Sequence, residues 1–418
     1  MYVKGPLTNT ASERKEIPLS LAVQTRPSVA PKSSARGIVA PVPEAAVSAK
    51  APRGKPRFLP FGDIARVLGT VAVVVGHVCD MVQYSVKTIS TNAPFVFNTC
   101  NFFNSASRWA VPVYIMLSGS LLLDPARAEA PEKFYSKRLA RLGIPIIFWT
   151  TFFMLFTQYY LKPHGMNVEM NLWRELALGK PYAHLHFIFR IAGLYAFTPM
   201  FRVFLQHAPK SMVTLAVVLC LGFSCANSVS DGFMGTEESA FIRFVPFIGF
   251  YLAGYLLRDK KLSKRTLIGC WFLAISCVFL LTGGTTLLVE YFGEKPLYPS
   301  PGYLLYDFVS PVRIALGISV WLIFVNTFDE KWMESGLSKF VSKWIAPATL
   351  GIYLVHPLFR EILYVNGFEA SLQHFFADWY KQPYILIGIP LISAMVYIPS
   401  LLFTQIVMRI PYVQKIVV

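Results

Sequence analysis

The chain has 418 residues, 54% hydrophobic and only 15% charged, with 34 phenylalanines, 20 tyrosines and a mean hydropathy of +0.48. A soluble domain of this size would need far more charge to cover its surface, which excludes a water-soluble enzyme. The formal net charge of +16 suggests nucleic acid, but the basic residues follow the loops of a membrane protein and no nucleic-acid partner is expected.

Residues 1–57 carry eight prolines, ten Lys or Arg residues and one aromatic, Tyr2. Such a segment cannot bury enough apolar surface to offset its ordering entropy, and it lacks the long hydrophobic run of a secretory signal. It is expected to be a disordered basic cytoplasmic tail lying against anionic lipid. Residues 58–418 then form one membrane-embedded domain.

That domain reads as all-α and polytopic. Apolar runs predict ten membrane helices at about 60–80, 99–123, 142–160, 185–206, 212–230, 241–257, 266–290, 303–328, 344–363 and 384–408. The first, Phe61–Asp80, carries both an arginine and a histidine. Eleven steps of about 100° return His77 to within about 20° of Arg66, and about 16 Å further along the axis. One face therefore presents a cation near one end and an imidazole near the other. Charge at membrane depth costs a few kcal/mol or more, so it marks function. Pro112, Ser118 and Gly119 read as packing and kink features of the second span.

With the N-terminus inside, the inner segments hold 26 Lys and Arg residues and the outer loops six: Lys87, Lys162, Arg174, Lys180, Lys295 and Lys381. This is the positive-inside pattern of a cytoplasmic (inner) membrane protein with both termini cytoplasmic. Seven arginines fall within the spans: 66, 108, 190, 202, 243, 313 and 360. Six cysteines show no paired spacing. Cys220, Cys225, Cys270 and Cys277 read as packing residues, while Cys79 and Cys100 flank the first outer loop, where a bridge is conceivable.

Six segments, in order, resemble the acyltransferase 3 family. These are Asp63-Ile64-Ala65-Arg66 followed by His77, then Val111–Gly119, then Phe134–Leu142 with its Arg-x-x-Arg element. His184-Leu185-His186-Phe187 with Tyr195 and Pro199 follows, and Phe247–Tyr255 and Gly351–Pro357 complete the series. Trp is more usual in the family where His186 stands. The resemblance implies a membrane-bound O-acyltransferase, taking an acyl group from cytoplasmic acyl-CoA, in all expectation acetyl-CoA. The implied acceptor is a hydroxyl of a cell-surface or exported saccharide, lipid-linked in some members. It also implies contact with the polysaccharide assembly machinery, and no permanently bound cofactor.

Residue chemistry fits that implication at several points. Arg138 and Arg141, three apart, would be neighbours on one helix face just inside the membrane, where two guanidinium forks suit phosphate oxygens. Anchoring to lipid headgroups fits them equally, and fits Lys137 better. Arg66 can reach the same donor or pair with Asp63 at i, i+3, and Asp63 can orient it. His77, near the outer end, suits a general base for a sugar hydroxyl, because imidazole accepts a proton near neutral pH; a packing histidine is the plainer alternative. A donor held at Arg138 and Arg141 would bring its thioester to His77 through a tunnel across the bilayer. Helix direction gathers His184, His186, Arg243, Glu290, Asp307 and His356 at the outer level with Tyr195 and Tyr353, a mixed polar set for an acceptor. No two histidines among 77, 184, 186 and 356 stand at i, i+4, which argues against a zinc site. No P-loop, GxSxG elbow or dinucleotide fingerprint is present.

A secondary transporter or saccharide exporter, with Arg66 and His77 lining a proton or substrate path, is the rival reading. A sensor using the 57-residue tail as output is a third. No convincing internal repeat supports transport.

Overall fold

In lipid, a spanning segment must satisfy its own backbone hydrogen bonds, and only helices and closed barrels do so. The computed structural model describes residues 59–86, 94–127, 129–164, 172–235, 239–293, 300–365 and 385–417, and among these every regular element is helical. The basic tail 1–57, and the domain boundary placed after it, lie outside the described residues. So do Lys87, Lys295 and Lys381 of the outer loops.

The principal helices are α1 (Gly62–Val86), α2 (Pro94–Ser107), α3 (Ala110–Leu122), α4 (Pro131–Leu161), α5 (His186–His207) and α6 (Lys210–Met234). They continue as α7 (Val245–Leu257), α8 (Lys264–Phe292), α9 (Pro311–Thr327), α10 (Thr349–Val365) and α11 (Ile385–Val407). Seven are long and apolar enough to cross a membrane: α1, α4, α5, α6, α8, α9 with the turn before it, and α11. The second, sixth and ninth expected spans are shorter or interrupted.

Each departure has a local cause. The expected span 99–123 is two helices, broken at Arg108–Trp109. Pro112, in the first turn of α3, has no N–H to return to the Arg108 carbonyl. That freed oxygen is taken by Arg313, whose Nε and Nη2 donate to it at 3.3 and 3.1 Å. The expected helix 303–328 begins at Pro311, where the Ser310 hydroxyl caps the Arg313 N–H. Asp307 therefore does not open that helix; it lies upstream in extended backbone (φ −61°, ψ 145°). In the sixth span, Pro246 turns the chain in a 3-10 start, and the α-helix proper runs Ile248–Leu257. The third span runs further than its apolar core, continuing through Arg138 and Arg141 by a π turn at Leu139–Gly143.

The interior joins apolar clusters with buried polar groups, and the exterior is largely apolar. Thr70, Asn101, Asn104, Arg190, Arg313, His356 and Glu361 are buried. Phe223 on α6, Phe272 and Leu287 on α8 and Ile387 on α11 are each more than 60% exposed. Water would penalise so large an apolar surface, whereas lipid tails cover it. Two glycines let α3 and α7 touch backbone to backbone. Gly119 lies on the Tyr251 carbonyl and Gly254 on that of Met116, with no room for a Cβ at either. Around this crossing Phe61 meets Trp321 edge to face at 5.1 Å, joining α1 to α9.

Candidate active site

The C-terminal half of α1 turns His77 into a cavity of about 540 Å³, bordered by α2, α3, α5, α9 and α10. His77 therefore does not point at lipid. Three residues on, where a helix places its neighbour, Asp80 holds Oδ2 3.7 Å from His77 Nδ1. That is too long for a hydrogen bond, so the carboxylate acts as a fixed charge favouring the proton on Nδ1. It is itself held by Asn104 Nδ2, donating at 2.7 Å, and by Arg108 Nη2 at 3.6 Å. Arg108 in turn lies over the Tyr306 ring at 4.1 Å.

Behind His77 stand two further imidazoles. The His356 ring lies 5.3 Å from that of His77 and 5.4 Å from that of His184. His356 donates from Nδ1 to the Tyr353 carbonyl at 2.8 Å, because a carbonyl can only accept; its Nε2 is therefore an acceptor. His184 donates from Nε2 to the Leu354 carbonyl at 3.2 Å, leaving Nδ1 as acceptor. Both acceptor nitrogens are buried with no hydrogen-bond partner. Among the described residues, no group of three or more His, Cys, Asp or Glu is arranged to hold a metal ion.

Below this group lies a buried ion pair. Arg360 Nη2 meets Glu361 Oε1, Tyr182 donates to the same oxygen at 2.7 Å, and Arg360 Nη1 reaches the His77 carbonyl at 3.4 Å. Glu361 is 2% exposed. The pair ties α10 to the backbone of α1 at the level of the imidazole.

The structure thus brings His77, His184, His186, Asp307, Arg243 and Tyr353 to one cavity, as the helix directions predict. His186 holds the Ala183 carbonyl through Nδ1 at 2.6 Å and sets its ring against Phe308. Asp307 accepts from the Val309 N–H at 2.9 Å. Glu290, expected at the same level, is exposed and does not line the cavity. Tyr195, expected beside the acceptor, belongs elsewhere: Arg138 lies over its ring at 5.8 Å.

The arginines expected at the inner face stand apart. Arg66 pairs with Asp63, as their spacing predicts. Arg138 is half-buried and Arg141 exposed, because the π turn between them advances less per residue than an α-helix and spoils their shared face. Arg138 instead shares the Phe134 ring with Arg202, at 5.2 and 4.9 Å. Arg66, Arg138 and Arg141 are not part of the cavity lining. Tyr114 forms its wall on that side, donating to the Arg66 carbonyl at 2.6 Å and bonded to Thr70. The expected tunnel from the arginines to His77 is not part of this cavity, and on the Arg66 side one edge of the Tyr114 ring stands against Gly69. Cys79 and Cys100 are buried free thiols.

Residue-by-residue reading missed Asp80, Tyr114, Tyr182 and Glu361. Asp80 stands at i+3 from His77 and was legible. Arg108, Arg190, Arg313 and Arg360 were visible as arginines at membrane depth, which is itself a functional signal.

A family model described as an acyltransferase domain matches residues 60–404, most of the chain and the whole of the site. The chain belongs to the acyltransferase 3 family. Comparison with curated proteins and with solved structures gives no match. This acyltransferase is an integral membrane protein, helical in every regular element of its described residues, and membership carries transfer of an acyl group to a hydroxyl. The family match begins at residue 60 and leaves out the basic tail.

Proposed function

We propose that this acyltransferase moves an acetyl group from cytoplasmic acetyl-CoA to a hydroxyl of a cell-surface or exported saccharide. The observation that carries the reading is His77, facing a cavity lined by charged and aromatic side chains beside Asp80 on the helix that also bears Arg66. In the mechanism, the acceptor hydroxyl oxygen attacks the thioester carbonyl carbon while His77 Nε2 takes its proton. The C–S bond then breaks, and the leaving thiolate of CoA receives that proton back from the imidazolium. Asp80 favours the tautomer with Nδ1 protonated and steadies the charged ring between the two steps. Arg138, with Arg66 and Arg141, holds donor phosphates at the inner face; Asp63 orients Arg66. Tyr114 yields to admit the pantetheine arm. His184, His186 and Asp307 face the acceptor, while His356, expected beside them, is buried behind His77 outside the cavity lining.

The charge distribution supports ten crossings, both termini cytoplasmic and residence in the bacterial inner membrane. CoA and acceptor are substrates, and no resident cofactor is part of the scheme. The test is acetyl transfer by the purified protein in lipid nanodiscs, without any ion gradient, scored as CoA release and O-acetyl product. Folded His77→Ala that keeps normal transfer would overturn the assignment of the base. Loss of surface O-acetyl groups in a deletion strain checks the acceptor class.

A further inference from the structure

Arg108 stands at the break between α2 and α3, and its surroundings hold it from three sides. Its carbonyl is gripped by Arg313. Its guanidinium lies over the Tyr306 ring at 4.1 Å, and Tyr306 is itself anchored through its hydroxyl to Asn101. Its Nη2 faces Asp80 Oδ1 at 3.6 Å, beyond hydrogen-bond distance. A guanidinium laid over an aromatic face keeps its N–H bonds in its own plane, directed outward from the stack. Among the described residues, the buried Nε has no hydrogen-bond partner, and a buried donor left unmatched is costly. Several neighbouring donors are by contrast engaged: Asn104 Nδ2 with Asp80, the Ser107 hydroxyl with the Phe103 carbonyl, and Arg313 with two carbonyls. Arg108 lines the same cavity as His77, and the two meet opposite oxygens of the one Asp80 carboxylate.

Acyl transfer needs one group besides the base. When the acceptor oxygen bonds to the thioester carbon, the carbonyl π pair moves onto its oxygen, and a preset donor to that oxyanion is worth about a hundredfold or more in rate. Resting on the acyl-transfer reading above, we infer that Arg108 is the catalytic residue that donates to this oxyanion. A carbonyl attacked by the hydroxyl at His77 lies beside the guanidinium, which gives it N–H hydrogen bonds while the charge lasts. No bond to Arg108 forms or breaks. As the tetrahedral intermediate collapses, the pair returns to the C=O bond, the C–S bond breaks, and the CoA thiolate leaves with the proton from His77. The clamp on Arg108 sets its orientation before the charge develops, so no reorganisation is left for the moment of reaction. Asp80 then serves both arms: it favours one tautomer of His77 and keeps the guanidinium near without taking its hydrogen bonds.

The test uses the full-length protein in nanodiscs and follows CoA release with water as the probe acceptor. Two donors are compared: acetyl-CoA, and its dithioester analogue in which sulfur replaces the carbonyl oxygen and accepts hydrogen bonds poorly. Arg108→Gln should lower kcat with acetyl-CoA about 100-fold while changing KM less than about threefold. The ratio of oxygen-donor to sulfur-donor rates should fall about tenfold or more below that of the wild type, a change that a merely structural role would not produce. Asp80→Asn, which acts through His77, should lower kcat and leave that ratio unchanged. A folded Arg108→Gln with wild-type kcat, or with a wild-type ratio, overturns the inference while leaving acyl transfer intact. If Arg108→Gln does not fold, Arg108→Lys, which keeps a cation beside Asp80 but loses the planar fork, is read by the same ratio: a smaller ratio supports the inference and a wild-type ratio refutes it. Absence of CoA release by the wild type, with water or with extracted surface saccharide as acceptor, counts against the acyl-transfer reading instead and removes the inference with it.

Discussion

The Arg360–Glu361 pair offers the sharpest test of how the site is held together. Glu361 is 2% exposed and the Arg360 side chain 12%, so neither charge has water to fall back on. Removing one partner of such a pair strands the other, at about 3–5 kcal/mol. Glu361→Gln keeps an oxygen for Tyr182 and the guanidinium, which places it near about 3 kcal/mol; Arg360→Met, stranding a carboxylate held by one hydroxyl, falls in the same range. Replacing both, as Arg360→Met with Glu361→Leu, removes the ions together and should return stability to within about 1 kcal/mol of wild type. The coupling energy is then about 5 kcal/mol, the two single losses of about 3 kcal/mol together less the small loss of the double variant. Thermal unfolding in detergent, followed by tryptophan fluorescence, should show each single variant lower by roughly 5 °C or more and the double variant largely restored. Acyl transfer should stay low in the double variant, because Arg360 also holds the His77 carbonyl and lines the cavity. Single variants as stable as wild type, or a double variant as unstable as both losses combined, would refute the reasoning.

Other perturbations address the helix crossing, the base and the inner wall. At Gly119 a Cβ would stand 2.8 Å from the Tyr251 carbonyl carbon, and at Gly254 2.5 Å from that of Met116. Backbone cannot swing aside, so Gly119→Ala or Gly254→Ala should cost about 3 kcal/mol or more by thermal unfolding. Gly269→Ala, with nothing within 4 Å, should be neutral or stabilising by up to about 1 kcal/mol. Asp80→Asn should lower kcat tenfold or more in the acetyl-transfer assay, with the KM for acetyl-CoA little changed, because it touches the His77 tautomer and not the donor. Tyr114→Phe should cost about 1 kcal/mol through its lost bond to the Arg66 carbonyl. Tyr114→Ala, by opening the wall, should raise CoA release to water relative to transfer; an unchanged ratio would remove Tyr114 from the donor path.

Hydrophobicity and its period already dictated a helical membrane protein, and the described residues are helical in every regular element. Those properties follow from period and transfer energy, which act locally along the chain. Arg66 with Asp63 was legible from spacing within one helix, whereas Asp307 reaches the cavity from extended backbone ahead of α9 and His356 stands behind it. Where helices break was decided by contact between distant segments. Pro112 frees the Arg108 carbonyl, but only the approach of Arg313, about two hundred residues later, makes that break a stable joint. The same holds for the wall that Tyr114 makes and for the parting of Arg138 from Arg141. Each depends on which faces of which helices meet, and spacing within a single helix carries no record of its neighbours.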